Sequence, residues 1–191
     1  MTDTIIETDR LILRDWRDTD REPAYAHINS NPDVMRWLDG VQTRAECDAM
    51  IDKLTGRQEQ CGHTFWALER KDDGALLGFC GLLITEREIV PTCGEPEVGW
   101  RLRKDIWGRG YAKEAAAASL SFGFDTLGFE RIHALTIPEN TPSWGLMGRL
   151  GMTYRPELDY IGTDWGPQSM REIIYTITAE EWRERRKEFE A

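Results

Sequence analysis

Val98-Gly99-Trp100-Arg101-Leu102-Arg103-Lys104-Asp105-Ile106-Trp107-Gly108-Arg109-Gly110-Tyr111-Ala112-Lys113-Glu114-Ala115 is the stretch on which the reading of the whole chain turns. Its first half alternates apolar Val98, Trp100 and Leu102 with Glu97, Gly99, Arg101 and Arg103, the period of a strand. A glycine turn follows, and a helix is expected to begin near Gly110. The first N–H groups of such a helix have no partner inside it and carry the positive end of its dipole. Gly108 and Gly110 remove Cβ atoms, so a phosphate can approach those amides closely. Arg109 and Lys113 sit where a cation is ordinarily disfavoured, a placement that a bound anion would compensate. The run Ala115 to Ala118 then makes a thin helix able to pack close to a sheet.

Two familiar anion motifs fit poorly. A P-loop ends in Gly-Lys-Ser/Thr, which is absent, and a dinucleotide fingerprint needs three glycines with an acidic residue roughly 20 positions on. Glu130 stands near that distance but precedes the next strand, and the third glycine is missing.

Working outward, the 191 residues suggest one domain, 1–191, able to bury a core without disulfides or metal. No apolar run approaches the roughly 18 residues of a membrane span. Met1 to Glu7 lacks a basic region followed by an apolar core, so a cytoplasmic location is expected. Cys47, Cys61, Cys80 and Cys93 are scattered without C-x-x-C spacing, which points to reduced structural thiols and no metal site. Against 24 Lys and Arg stand 34 Asp and Glu, a net charge of −10. That balance argues against extended nucleic-acid binding and would attract cations, amines included.

In chain order, Thr8 to Arg14 reads as a first strand. Asp18 to Asp20 caps a helix ending at Asn31-Pro32, and a second helix spans Arg44 to Gln60. Thr64 to Arg70 and Leu76 to Ile84 form a hairpin around Asp72-Asp73-Gly74. After the loop Thr85 to Gly94 come the quoted strand and a helix to about Leu127. Arg131 to Ile137 is the next strand, and Asn140 to Leu150 a short helix. Met152 to Tyr160 and Gln168 to Thr178 read as two strands about a turn at Gly162 to Pro167, and a charged helix starts at Thr178.

The segment Trp107-Gly108-Arg109-Gly110-Tyr111-Ala112 resembles the coenzyme A pyrophosphate loop of the GNAT acetyltransferases, Gln/Arg-x-x-Gly-x-Gly/Ala, departing at Trp107 as is common in the branch of ribosomal-protein N-terminal acetyltransferases. Asn140-x-x-Ser143-x-x-Leu146-Met147-x-x-Leu150-Gly151-Met152 is similar to that family's helix after its fifth strand. The resemblance implies an α/β fold with a mixed sheet of about seven strands, splayed between the fourth and fifth, and flanking helices. It implies acetyl-CoA as co-substrate, no metal, and an amine acceptor. Trp100, Arg101 and Leu102 would meet the pantetheine through their backbone, Trp107, Gly108, Arg109, Gly110, Tyr111, Ala112 and Lys113 would hold the pyrophosphate, and Asn140 would also touch the coenzyme.

Acetyl transfer needs a neutral amine, a polarised carbonyl and a protonated leaving thiolate. Glu97 lies on the non-apolar face of its strand and is the expected base, directly or through a water, with Glu95 as substitute; Gly99 beside it would leave space for a substrate. Ser143 is the expected acid, or a hydrogen-bond donor to the coenzyme sulfur with solvent giving the proton; plain helix capping is the alternative for Ser143 and is compatible with coenzyme contact for Asn140. His27, His63 and His133 read as structural, and Trp37, Trp66 and Trp165 as core or rim sooner than as an amine pocket.

The expected activity is acetyl-CoA dependent N-acetylation of a primary amine in a ternary complex. A protein N-terminus, a polyamine or aminoglycoside and a small amine metabolite all stay open as acceptors. A non-catalytic acyl-CoA binding module is the alternative, and a homodimer is a further expectation.

Overall fold

The computed structural model describes residues 4–162 and 170–189. Strands β1 (Thr4–Glu7) and β2 (Leu11–Arg14) form a hairpin, followed by two short helices, α1 (Arg21–Ala24) and α2 (Pro32–Met35), and the long α3 (Arg44–Cys61). A second hairpin pairs β3 (Phe65–Arg70) with β4 (Leu76–Ile84), and β5 (Pro96–Leu102) leads through the glycine turn into α4 (Tyr111–Asp125). Then come β6 (Arg131–Thr136), α5 (Thr141–Arg149), β7 (Thr153–Tyr154), β8 (Tyr160–Gly162), β9 (Met170–Thr178) and α6 (Ala179–Arg185).

The strands make one mixed sheet in the order β1-β2-β3-β4-β5-β6-β9-β7, with β8 on β9. Every pairing is antiparallel except β5 with β6. That one differs in extent as well. β4 and β5 stay in register from Gly78 opposite Leu102 to Ile84 opposite Pro96, whereas among the described residues β5 meets β6 only where Glu97 faces His133. Beyond that point the two strands part.

Alternation explains the two layers. Val98 and Leu102 turn to one face, where Ala115, Ala116, Ala117 and Leu120 of α4 bury against Leu82 and Ile132. Small side chains let α4 lie close, as its alanine run implies. The other face carries Ala67 and Phe79 under Ala24, Ile28, Cys47, Ile51 and Leu54 from α1, the turn after it and α3.

Among the described residues there are nine strands against about seven expected. Thr4–Glu7 is an additional one, with Ile5 and Ile6 half-buried on the core. The strand expected over Met152 to Tyr160 is interrupted at Pro156, which has no N–H for a ladder and opens a 3₁₀ turn, Pro156–Leu158. Asn31-Pro32 starts a helix where a stop was expected: Asn31 Oδ1 accepts from the N–H groups of Asp33 (2.9 Å) and Val34 (3.4 Å), and proline suits the first helical position. Trp165 and residues 163–167 of the expected turn lie outside the described residues.

Candidate active site

Where β5 and β6 separate, a cleft of about 780 Å³ opens, running from Glu97 down β5 to the start of α4. Of the thirteen residues expected to serve the site, twelve line it: Glu97, Trp100, Arg101, Leu102, Trp107, Gly108, Gly110, Tyr111, Ala112, Lys113, Asn140 and Ser143. Arg109 is exposed beside it, and its carbonyl accepts from Arg10 Nη1 at 3.1 Å.

The lower end is the glycine turn. Gly110 caps α4 at φ +83°, and Gly108 has φ +73°, both in the left-handed region that a side chain disfavours. Gly110 offers no side-chain cap, and the first helical N–H to find a backbone partner is that of Glu114, on Gly110 O at 3.0 Å. The N–H groups of Tyr111, Ala112 and Lys113 therefore point out of the helix unclaimed, which fits a pyrophosphate.

A brace from the β1–β2 turn fixes this loop. Thr8 Oγ1 donates to Glu114 Oε1 at 2.6 Å, Arg10 Nε donates to Glu114 Oε2 at 2.6 Å, and the Arg10 guanidinium lies 4.5 Å from the Tyr111 ring centroid. Sequence reading missed Arg10. The contact spans 104 positions, and nothing local in Thr8-Asp9-Arg10 announces it.

Across the gap, α5 presents two unoccupied side chains. Asn140 stands at the N-cap position yet makes no side-chain cap bond, so capping does not explain it. Ser143 uses only its backbone N–H, to Asn140 O at 3.0 Å, leaving the hydroxyl to the cleft.

At the upper end Glu97 is half-buried, and burial pushes its carboxyl above the usual carboxylate range. The Thr85 hydroxyl, donating to Oε2 at 3.0 Å, and the nearby Arg87 guanidinium pull the other way, while the charge of Glu172 adds to the rise. Glu172 is fully buried, facing Arg87 at 3.4 Å, and Arg87 also donates to Tyr160 Oη at 3.1 Å. Sequence reading missed this buried group too, because it joins a loop to β8 and β9 across more than 70 positions.

Glu95, the expected substitute, is engaged elsewhere: its Oε2 lies 2.8 Å from His133 Nε2, and the other ring nitrogen of His133 lies 2.9 Å from Thr176 Oγ1. His133 is buried, which holds its pKa below the ordinary histidine value even though Glu95 favours the charged form. His63 is likewise buried, its Nδ1 3.0 Å from Leu82 O. The space expected over Gly99 is not vacant. A Cβ there would meet Phe65 Cζ at 2.5 Å, so the missing side chain makes room for the Phe65 ring, which stacks on Phe79 at 5.8 Å. Trp37 lines the cleft, whereas Trp66 is fully buried and donates to Gln58 Oε1 at 2.9 Å.

Comparison with known proteins agrees with this geometry. The family model described as "Acetyltransferase (GNAT) domain" matches residues 10–153. The uncharacterized N-acetyltransferase YnaD of Bacillus subtilis is 30% identical over 183 residues, covering 93% of this chain and 98% of that one. A GNAT-family acetyltransferase from Bacillus anthracis superposes with a TM-score of 0.77 at 26% identity, over 92% of this chain and 98% of the other. A Vibrio cholerae protein described as a candidate ribosomal-protein-serine acetyltransferase shares the fold at 21% identity, with a TM-score of 0.73 over 93% and 99% of the two chains.

Proposed function

Because the chain belongs to the GNAT acetyltransferases and is an N-acetyltransferase, with acetyl-CoA as the family's co-substrate, we propose that this cleft transfers acetyl directly to a primary amine with Glu97 as base. Acetyl-CoA supplies an activated thioester. The observation that carries the reading is the parting of β5 and β6 at Glu97, which sets one end of the cleft at a raised-pKa carboxylate and the other at the open amides of α4.

The free amides of Tyr111, Ala112 and Lys113 hold the pyrophosphate, with Trp107 to Gly110 shaping the turn beneath it. The backbone of Trp100 to Leu102 has lost its β6 neighbour and offers ladder groups to the pantetheine. An alkylammonium is the dominant form of most amines at neutral pH, so a proton must leave before the nitrogen can attack. Glu97, displaced upward toward the working pH, takes that proton directly or through a water. As the amine nitrogen bonds to the acetyl carbon the C–S bond would break; the uncommitted Ser143 hydroxyl would hydrogen-bond the departing thiolate, which takes its proton from solvent, and Asn140 would steady the same arm. Deacetylated coenzyme and the N-acetyl product then leave.

The test is acetyl-CoA dependent thiol release over a panel of peptides, amino acids, polyamines and aminoglycosides, run beside Glu97→Gln. Turnover that falls in the variant mainly through kcat is the expected result. Tight coenzyme binding with no turnover on any amine would instead favour a non-catalytic binding module.

A further inference from the structure

The Arg101 side chain stands apart from every other cation of the cleft. It lies on the same strand face as Glu97, and it packs into the second core between Phe79, whose ring centroid is 5.1 Å from the guanidinium carbon, and the side chains of α3. Its Nη1 donates to Asn29 Oδ1 at 3.2 Å and approaches Met50 Sδ at 3.9 Å. Among the described residues no carboxylate lies within ion-pair reach of it. A guanidinium carries five N–H donors, so most of its capacity is unused. Arg101 lines the cleft, and among the described residues its other N–H groups have no acceptor. Desolvation holds its pKa down at about 10.

A half-buried cation without a counter-charge is costly, and proteins that keep one ordinarily supply an anion. Asn29 is positioned for it: the chain makes a π-helical turn at Tyr25–Asn29, a distortion frequent at functional sites, and Asn29 is fully buried. The surroundings point the same way. In a chain with 34 acidic residues and 24 basic ones, the side of the cleft around α2 and α3 carries Arg36, Lys53 and Arg57, the last paired with Glu86. The one acid it adds, Asp33, is neutralised by Lys104 at 2.6 Å. Trp37 Nε1, in the same wall, is buried without an acceptor.

We propose that Arg101, held by Asn29, is a carboxylate-binding subsite for the acceptor, which is therefore an amine that also carries an anionic group. This rests on the acetyl-transfer reading of the same cleft and narrows its acceptor class, disfavouring polyamines and aminoglycosides. Glu97 and Arg101 are four residues apart on one strand, about 13 Å between Cα atoms. An acceptor with its amine at Glu97 and its carboxylate at Arg101 spans about three to four extended residues.

The test uses glycine oligomers of one to four residues, each as free acid and as C-terminal amide. Calorimetry on the full chain with coenzyme A bound reads acceptor binding without turnover. At the length that spans the gap the acid should bind roughly tenfold to hundredfold more tightly than its amide. Arg101→Met should abolish that difference, and Arg101→Lys should keep part of it, with melting temperatures recorded for both. An acid that binds no better than its amide at any length overturns the proposal, as does an Arg101→Met protein that keeps the preference. A loss in coenzyme A affinity alone, equal in the presence of acid and amide, also overturns it, since the guanidinium would then serve a coenzyme phosphate. Thiol release on the same pairs separates the two readings. Arg101-dependent acid binding without acetylation would overturn Glu97-assisted transfer to these acceptors and leave the subsite standing.

Discussion

At the residue scale, Glu97 joins chemistry to stability. Its folded pKa is raised, so folding favours the protonated form. Whatever stability that contributes is complete below the unfolded value of about 4.3 and is lost as pH rises through the folded value. Glu97→Gln should therefore match the native protein in melting temperature near pH 4 and exceed it at pH 8; equal melting at both would contradict the burial of this charge. The same variant should lose about 10²- to 10⁴-fold in kcat, with the acid limb of the pH–rate profile flattened. Gly99 makes a second residue-scale case. Gly99→Ala should cost about 1–3 kcal/mol in denaturant unfolding by overpacking Phe65, and Phe65→Leu should restore most of it. A Gly99→Ala protein of native stability would show that the ring moves freely.

At the scale of elements, the glycine turn depends on a hairpin nearly a hundred residues away. Arg10→Ala removes the side-chain contacts to Glu114 and to the Arg109 carbonyl while leaving the backbone N–H on Glu114. Coenzyme A affinity measured by calorimetry should fall about 5- to 30-fold, by about 1–2 kcal/mol, while kcat at saturation holds. A kcat loss at unchanged affinity would place Arg10 in a different role. What the sequence showed about this region divides along the same line. The glycines and the strand alternation are local signals, legible because turn geometry and side-chain period are written within a few residues, whereas Asn140 and Ser143 entered through the resemblance of their helix to the family's. Arg10, Asn29 and Glu172 were not legible, since their partners lie far along the chain and only the fold brings them together. Phe65 over Gly99 is the same lesson from the other side: glycine in a strand announces a close approach and does not say by what.

For the molecule as a whole, the two layers are continuous except along one line. The lower half of β5 has β4 on one side and, from Val98 onward, no registered partner on the other. Its gap-facing amides between Val98 and Leu102 should exchange with solvent faster than those of β4 in the free protein, and coenzyme A should slow them. Protection unchanged by coenzyme A would mean that the pantetheine does not lie along this strand.

That open line has a consequence for the life of the protein in a cell. An unpaired strand edge inside a sheet is a template for another chain, and short terminal strands or charge cannot blunt it here without blocking the reaction. Occupancy is then a form of quality control. A pool of coenzyme at a hundred times its dissociation constant adds about 2.7 kcal/mol to the folded state. When the coenzyme pool as a whole runs short, the uncovered fraction grows and becomes the population open to aggregation and proteolysis, so abundance of the protein would track the supply of coenzyme.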